Sequence, residues 1–380
     1  MPPNVLLVVV DQLAAHTVGC YGGPVPTPNI DRLAVEGARF TDATCPTPFC
    51  SPSRASLATG QYPHRHGIVH NVMRRDYPRS RAEPTEEGLR ADDPTVGRLL
   101  ADAGYDTHHY GKFHLLDEDL PYYPDMFTEH DAYAKGMAGR FRAVRARPRE
   151  EWMDWYGWAL PVTVDDRYRE AVDPVREELA AAGGHDEFLT KMGRLEFDPG
   201  DTFDWQVADR AAGRIESADE PFFLTASFNW PHDPNVVPDP WYSEFDPDDL
   251  SLPDNYGAFE DRFAGDWSRE YVSLVGERGV REFLRVYYGM VAFVDDQVGR
   301  VLDALDRRGV ADDTLVVFTS DHGDMAGGHG MVWKSTGAFY DEVMRVPLLV
   351  RGPGVAADEV DCAASLVDVL PTVWDLLGRE

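Results

Sequence analysis

Near its start the chain runs Val5-Leu6-Leu7-Val8-Val9-Val10 and then turns abruptly polar at Asp11-Gln12. Six apolar residues fall far short of the roughly 20 that a membrane-spanning helix needs. The run has neither the alternation of a half-exposed strand nor the spacing of an amphipathic helix, so both of its faces must be covered. Strands buried on both faces belong to parallel sheets with helices packed above and below. Parallel strands need long crossovers, and 380 residues supply them. The segment also lacks a basic leader and meets Asp11 too early for a secretory signal, which points to a cytoplasmic protein.

Strand and helix signals alternate along the rest of the chain, as they do in α/β proteins. Thr27-Pro28-Asn29 reads as a helix cap with proline at the first position, opening a helix that stops at Gly37. Strands are expected at 39–45, 105–110, 222–228, 315–319 and 346–350, and helices at 94–103, 282–307 and 364–377. The expected architecture is one α/β domain over residues 1–380, with a central, mainly parallel (mixed) sheet flanked by helices. An irregular insertion at about 117–215 carries Trp152, Trp155, Tyr156 and Trp158, and a long Pro/Asp-rich loop follows at about 231–266.

The charge narrows the class of function. With 66 acidic and 36 basic side chains the net charge is −30, which argues against a nucleic-acid binder. The four cysteines, Cys20, Cys45, Cys50 and Cys362, are too few and too scattered for a disulfide scaffold or a Cys₄ zinc site. Asp outnumbers Glu 43 to 23, and four lysines stand beside 32 arginines. Such a surface fits a halophile, whose salt screens the self-repulsion. GC-rich coding would favour Arg over Lys as well.

Two strand ends carry metal-capable groups. Asp11-Gln12 follows the first strand and Asp321-His322 follows the strand near 318. Ligands of open α/β sheets bind beyond the carboxyl ends of the strands. Two carboxylates, an amide oxygen and an imidazole suit Ca²⁺ or Mg²⁺, with Mn²⁺ admitted by His322. Cys50 precedes a helix expected to use Ser51 as its cap and Pro52 as its first residue. That helix start is a natural anion site. By itself Cys50 is equally well a low-pKa thiol or a small buried hydrophobe.

The stretch Cys50-Ser51-Pro52-Ser53-Arg54, followed by Thr59-Gly60, resembles the Cys-x-Pro-x-Arg signature of the formylglycine-dependent (type I) sulfatases of the alkaline phosphatase superfamily. Gly104-Tyr105 through Gly111-Lys112-Phe113-His114 is similar to their second signature, and segments 4–12, 27–40 and 319–347 also follow the family pattern. The resemblance implies an alkaline phosphatase-like fold, whose usual C-terminal subdomain is expected to be short or missing here. It implies a sulfuric ester hydrolase of arylsulfatase type acting on a small-molecule or carbohydrate sulfate ester.

In that reading a maturation enzyme oxidises Cys50 to formylglycine, and the hydrated aldehyde attacks sulfur. Asp11, Gln12, Asp321 and His322 would hold one divalent cation beside residue 50, Ca²⁺ first and Mg²⁺ or Mn²⁺ next. Arg54, Lys112 and Lys334 would neutralise the sulfate and the diol. Two of the four lysines fall in these motifs, and an anionic substrate needs local cations in so acidic a chain. His114 would bind the hydrated aldehyde, and His232 would protonate the leaving oxygen. His64, His66, His108 and His109 are expected to be structural or solvent-facing, and His329 is left unassigned. A phosphodiesterase or phosphonate monoester hydrolase could use the same site, and a non-catalytic homologue could bind anions or glycans with it. Neither nucleic acid nor membrane is expected as a partner.

Overall fold

The computed structural model describes residues 2–379 apart from 73–87, 91, 116–121, 124, 129–137, 156–157, 184–188, 261–265 and 335–336. Tyr156 of the tryptophan-rich cluster therefore lies outside the described residues. In chain order the strands are β1 (Asn4–Asp11), β2 (Ala38–Thr44), β3 (Asp106–Gly111), β4 (Asp125–Phe127), β5 (Trp152–Trp155), β6 (Trp158–Thr163), β7 (Gly193–Leu195), β8 (Phe222–Pro231), β9 (Val236–Val237), β10 (Thr314–Ser320), β11 (Leu348–Arg351) and β12 (Asp358–Ser365).

The main sheet has the order β12-β2-β11-β10-β1-β8-β3-β4, and β5, β6, β7 and β9 form a second, small sheet. In the main sheet β11 alone runs against its neighbours β10 and β2. The other pairings are parallel, so the architecture is the mixed, mainly parallel α/β sheet read from the sequence.

All eight residues of β1 are buried, which explains their apolar run. The alternation expected of a pleated strand sorts them by face. Leu6, Val8 and Val10 join Leu224, Phe228 and Phe318 in one core, under helices Phe203–Ser217 and Trp267–Arg308. Val5, Leu7 and Val9 join Phe223, Leu315 and Leu366 in the core on the opposite face.

Two elements differ from the sequence reading. The helix expected from 282 starts a few residues earlier, just after Gly276, whose φ of +63° breaks it from a preceding helical stretch. That stretch opens at Trp267, where Asp266 accepts from the Ser268 backbone N–H at 3.0 Å and Tyr271, Val272 and Val275 extend the buried face. Near the end, residues 358–365 form β12 where a helix was expected from 364. The helix starts only after a capping box in which Ser365 and Asp368 bond each other's backbone. No helix among the described residues is long and apolar enough to cross a membrane.

The helix α1 (Pro28–Glu36) shows how the layers are tied. Thr27 stands at its N-cap, but its hydroxyl is engaged by Asp31 and Gly19. The free helix-start N–H groups are met by Asp295 of the long helix, which accepts from Asn29 N at 3.2 Å, Ile30 N at 2.8 Å and Asn29 Nδ2 at 2.8 Å. Burial pushes the Asp295 carboxyl up to about 6. Asp295→Ala should cost about 1–3 kcal/mol by orphaning these buried donors. The check is the urea midpoint, and an unchanged midpoint would refute the tie.

Candidate active site

Four adjacent strands, β10, β1, β8 and β3, end on one edge of the sheet. Register places Val10 beside Ser320, so Asp11 and Asp321 emerge together. Asp11 pairs with Pro231 at the end of β8, one residue before His232, and Gly111 pairs with Ser227, just before Lys112. Gly111 has φ +107°, and a Cβ there would lie 1.8 Å from the Ser227 carbonyl oxygen, so only glycine lets β3 approach β8 this closely.

Over this edge sits helix α2 (Cys50–Thr59). It starts two residues earlier than expected. Phe49 is at the N-cap, Cys50 is the first helical residue and Pro52 the third. The Ser51 N–H is met by Asn71 Oδ1 at 3.1 Å, while the Ser51 hydroxyl donates to the His114 carbonyl at 2.8 Å. Cys50 is thereby fixed at the positive end of the helix, pointing at the strand ends.

Around the buried Cys50 Sγ lie Lys334 Nζ at 3.2 Å, His322 Nε2 at 3.3 Å, Asp11 Oδ1 at 3.6 Å and Lys112 Nζ at 3.9 Å. Lys112 is also paired with Asp11 Oδ2. Arg54, one helical turn after Cys50, donates from Nε to Asp321 Oδ2 at 2.7 Å and from Nη1 to Lys112 O and Ser227 Oγ.

Burial alone would raise the Cys50 thiol, but Lys112, Lys334 and His322 outweigh it and hold the thiol well below its ordinary value. Burial and the Cys50 charge push Asp11 up, and Lys112, His232 and Arg54 together bring it below the usual carboxylate range. Burial opposes the charge on Lys112 and Lys334, yet Asp11 and Cys50 keep both raised. The pocket is a buried array of alternating charge with two cations, Lys112 and Lys334, aimed at one residue.

The donor set fits a divalent cation. Ligand atoms of Asp11, Cys50, Asp321 and His322 all lie within 4.8 Å of one another. His322 Nδ1 is 2.8 Å from the Gly323 carbonyl, which can only accept, so Nδ1 carries the proton and the Nε2 lone pair faces the cluster. Gln12 belongs to the same group, with Oε1 2.9 Å from Lys334 Nζ. Its backbone lies at φ +63°, rare for a residue with a side chain, and is held by Asp321 Oδ1 on its N–H and the Tyr287 hydroxyl on its carbonyl.

His114, also at positive φ, hydrogen-bonds Cys50 through its side chain, and burial lowers its own pKa. His232 makes no hydrogen bond to the cluster. Its Nδ1 rests on Asp233, at 2.8 Å from the carbonyl and 3.1 Å from Oδ1. Burial lowers its pKa, but Asp233 and Asp11 more than compensate and it ends up raised.

Three further histidines among the described residues are engaged with other partners. His66 bonds Ser56 at 3.0 Å, His109 packs on Phe113 and Tyr123, and His329 stacks on Tyr340. Sequence reasoning missed Ser227, Asn71, Tyr287 and Asp324, which support the cluster without reaching its centre. For Asp324 a signal existed, namely a second acid directly after Asp321-His322-Gly323.

A sequence profile of the sulfatase family matches residues 3–379. The chain is 31% identical over 396 residues to the uncharacterised sulfatase YidJ of Escherichia coli K12, covering 100% of this chain and 68% of that protein. It is 28% identical over 389 residues to the choline-sulfatase of Rhizobium meliloti 1021, covering 99% and 68%. Among solved structures, the phosphonate monoester hydrolase of Agrobacterium radiobacter superposes with a TM-score of 0.70 at 26% identity, covering 99% of this chain and 74% of that one.

Proposed function

The chain belongs to the sulfatase family and is a sulfuric ester hydrolase, and we propose that it cleaves a small-molecule or carbohydrate sulfate monoester at residue 50, after oxidation of Cys50 to formylglycine. The observation that carries this reading is the convergence of Lys334, Lys112 and the start of α2 on Cys50, in a chain whose net charge of −30 would otherwise repel an anion. Asp11, Gln12, Asp321, His322 and residue 50 are the groups that would hold one divalent cation, Ca²⁺ first. When bound, the cation polarises the sulfuryl oxygens and favours an ionised nucleophile.

The chain's own residues do the rest. Lys112 and Lys334 flank residue 50 and bind the sulfuryl oxygens as charge develops. Arg54 spends its hydrogen bonds on Asp321, Ser227 and the Lys112 carbonyl, so it positions the carboxylate and the strand end. His114 orients residue 50. His232, protonated on Nδ1 against Asp233, is left with Nε2 to give a proton to the departing alcohol oxygen.

His232→Ala should therefore slow an alkyl or sugar sulfate by about 10²–10⁴-fold. Nitrophenyl sulfate, whose leaving group needs little protonation, should lose far less. Because the His232 pKa is raised, the alkaline fall of the alkyl-sulfate profile should lie above pH 6.5 and vanish in the variant. Equal losses on both esters would make His232 a substrate-positioning group instead.

The Agrobacterium structure supports a second reading, in which the same pocket takes a phosphonate monoester or phosphodiester, also a tetrahedral monoanion. Two measurements decide. Peptide mass analysis of protein from its own host, with hydrazide trapping, should find an aldehyde at residue 50. The ratio of kcat/KM for nitrophenyl sulfate and nitrophenyl phenylphosphonate should favour the sulfate. An unmodified thiol with full activity would sink the formylglycine reading, and a ratio favouring the phosphonate would select the second.

A further inference from the structure

We infer that Asp324 is a positioning residue that fixes which end of the Gln12 amide faces the metal pocket; the inference rests on the reading of Asp11, Gln12, Asp321 and His322 as metal holders. Asp324 is fully buried, and its two oxygens are both committed. Oδ2 accepts from Gln12 Nε2 at 2.7 Å, and Oδ1 accepts from the Ala326 backbone N–H at 2.7 Å.

An amide has a donor end and an acceptor end of nearly the same shape. A carboxylate only accepts, so it captures the NH₂ end and turns Oε1 the opposite way. There Oε1 stands 2.9 Å from Lys334 Nζ, in the group formed around Cys50. The Gln12 backbone is held separately, by Asp321 and Tyr287, so the amide direction is the freedom that Asp324 removes. A reversed amide would aim two N–H donors at a cation.

The pair also distributes charge in a particular way. Gln12 offers a neutral oxygen, and the carboxylate that backs it stands one hydrogen bond behind. Exchanging the two functions, in the double variant Gln12→Glu/Asp324→Asn, keeps the pair's charge, keeps an N–H···O bond between the residues and keeps an oxygen facing inward. Each single exchange breaks that match. Asp324→Asn sets an NH₂ group against either the Gln12 amide or the Ala326 N–H. Gln12→Glu sets carboxylate against carboxylate.

The test is calorimetric titration of metal-stripped full-length protein with MnCl₂, with circular dichroism to verify folding. Asp324→Asn should weaken Mn²⁺ binding by about 10–100-fold, the usual effect of losing a group that orients a metal ligand. The double variant should return to within about threefold of the parent, because the two residues act as one coupled pair. A purely structural role for Asp324, such as holding the Ala326 turn, would leave the double variant as weak as the single.

Parental affinity in Asp324→Asn, or no recovery in the double variant, overturns the inference while leaving the metal reading intact. Gln12→Glu, which keeps residue 324, carries the test if the chains bearing Asp324→Asn do not fold. It should bind Mn²⁺ no better than the parent, and tighter binding would overturn the inference. A parent chain that takes up no Mn²⁺ overturns the metal reading and this inference with it.

Discussion

Cys50→Ala should lower sulfatase turnover by roughly 10⁴–10⁶-fold, the range seen when a reacting residue is deleted from an enzyme that otherwise stays intact. The size follows from the geometry. Lys334, Lys112, His322 and His114 are all directed at this one side chain, and no second nucleophile stands among the described residues that surround it. Cys45 is buried against the Val343 carbonyl with its thiol pushed up by burial and by Asp321, and Cys20 is raised to about 12. Neither can stand in. The variant should fold, since alanine suits a helix start inside a closed pocket and only one sulfur atom is lost. Initial rates on nitrophenyl sulfate, compared with a melting curve of the same preparation, separate the two effects. Activity within tenfold of the parent would exclude residue 50 as the nucleophile.

Asp321→Ala should remove activity and stability together. Its Oδ2 takes the Arg54 Nε–H at 2.7 Å, and its Oδ1 takes the backbone N–H groups of Gln12 and His322 at 3.0 and 2.9 Å. Removing it leaves a buried guanidinium without its closest carboxylate, a change that typically costs about 3–5 kcal/mol. It also deletes one of the grouped oxygen donors. Chelation of the parent should silence turnover without that loss of fold, and Ca²⁺, Mg²⁺ or Mn²⁺ should restore it. The variant should stay silent with any of them and unfold at a clearly lower urea concentration. A metal-free parent with full activity would refute the metal assignment, and a stable Asp321→Ala would refute the role given to the Arg54 pair.

The parts of this arrangement visible in the sequence were those with a local signature. The apolar run of β1 announced a doubly buried strand, and the polar residues after β1 and β10 marked the strand ends where a ligand would sit. Cys50 and Arg54 lie one turn apart on one helix, so their proximity needed no tertiary information. What stayed hidden depends on register between distant strands. Ser227 meets Arg54 only because β3 and β8 are pressed together at Gly111. Asp324 acquires meaning only from the amide of Gln12, more than three hundred residues earlier. The start of the last helix was misplaced for a different reason. Ala363 and Ala364 favour helix, but pairing with Asp42 and Ala43 of β2 holds them in a strand until the Ser365 cap.

The strand order has a consequence for how the pocket comes into being. Its members come from the chain at position 50, on helix α2, and at positions 11, 112, 232 and 321, at the ends of strands whose order in space, β10-β1-β8-β3, interleaves both ends of the sequence with its middle. Every catalytic neighbour of Cys50 is therefore a contact of long sequence separation, up to 284 residues for Lys334. Such contacts are entropically expensive and form late in folding. No fragment, and no partly folded chain with one central strand undocked, can hold the cluster. Competence of the pocket and closure of the central sheet are a single event.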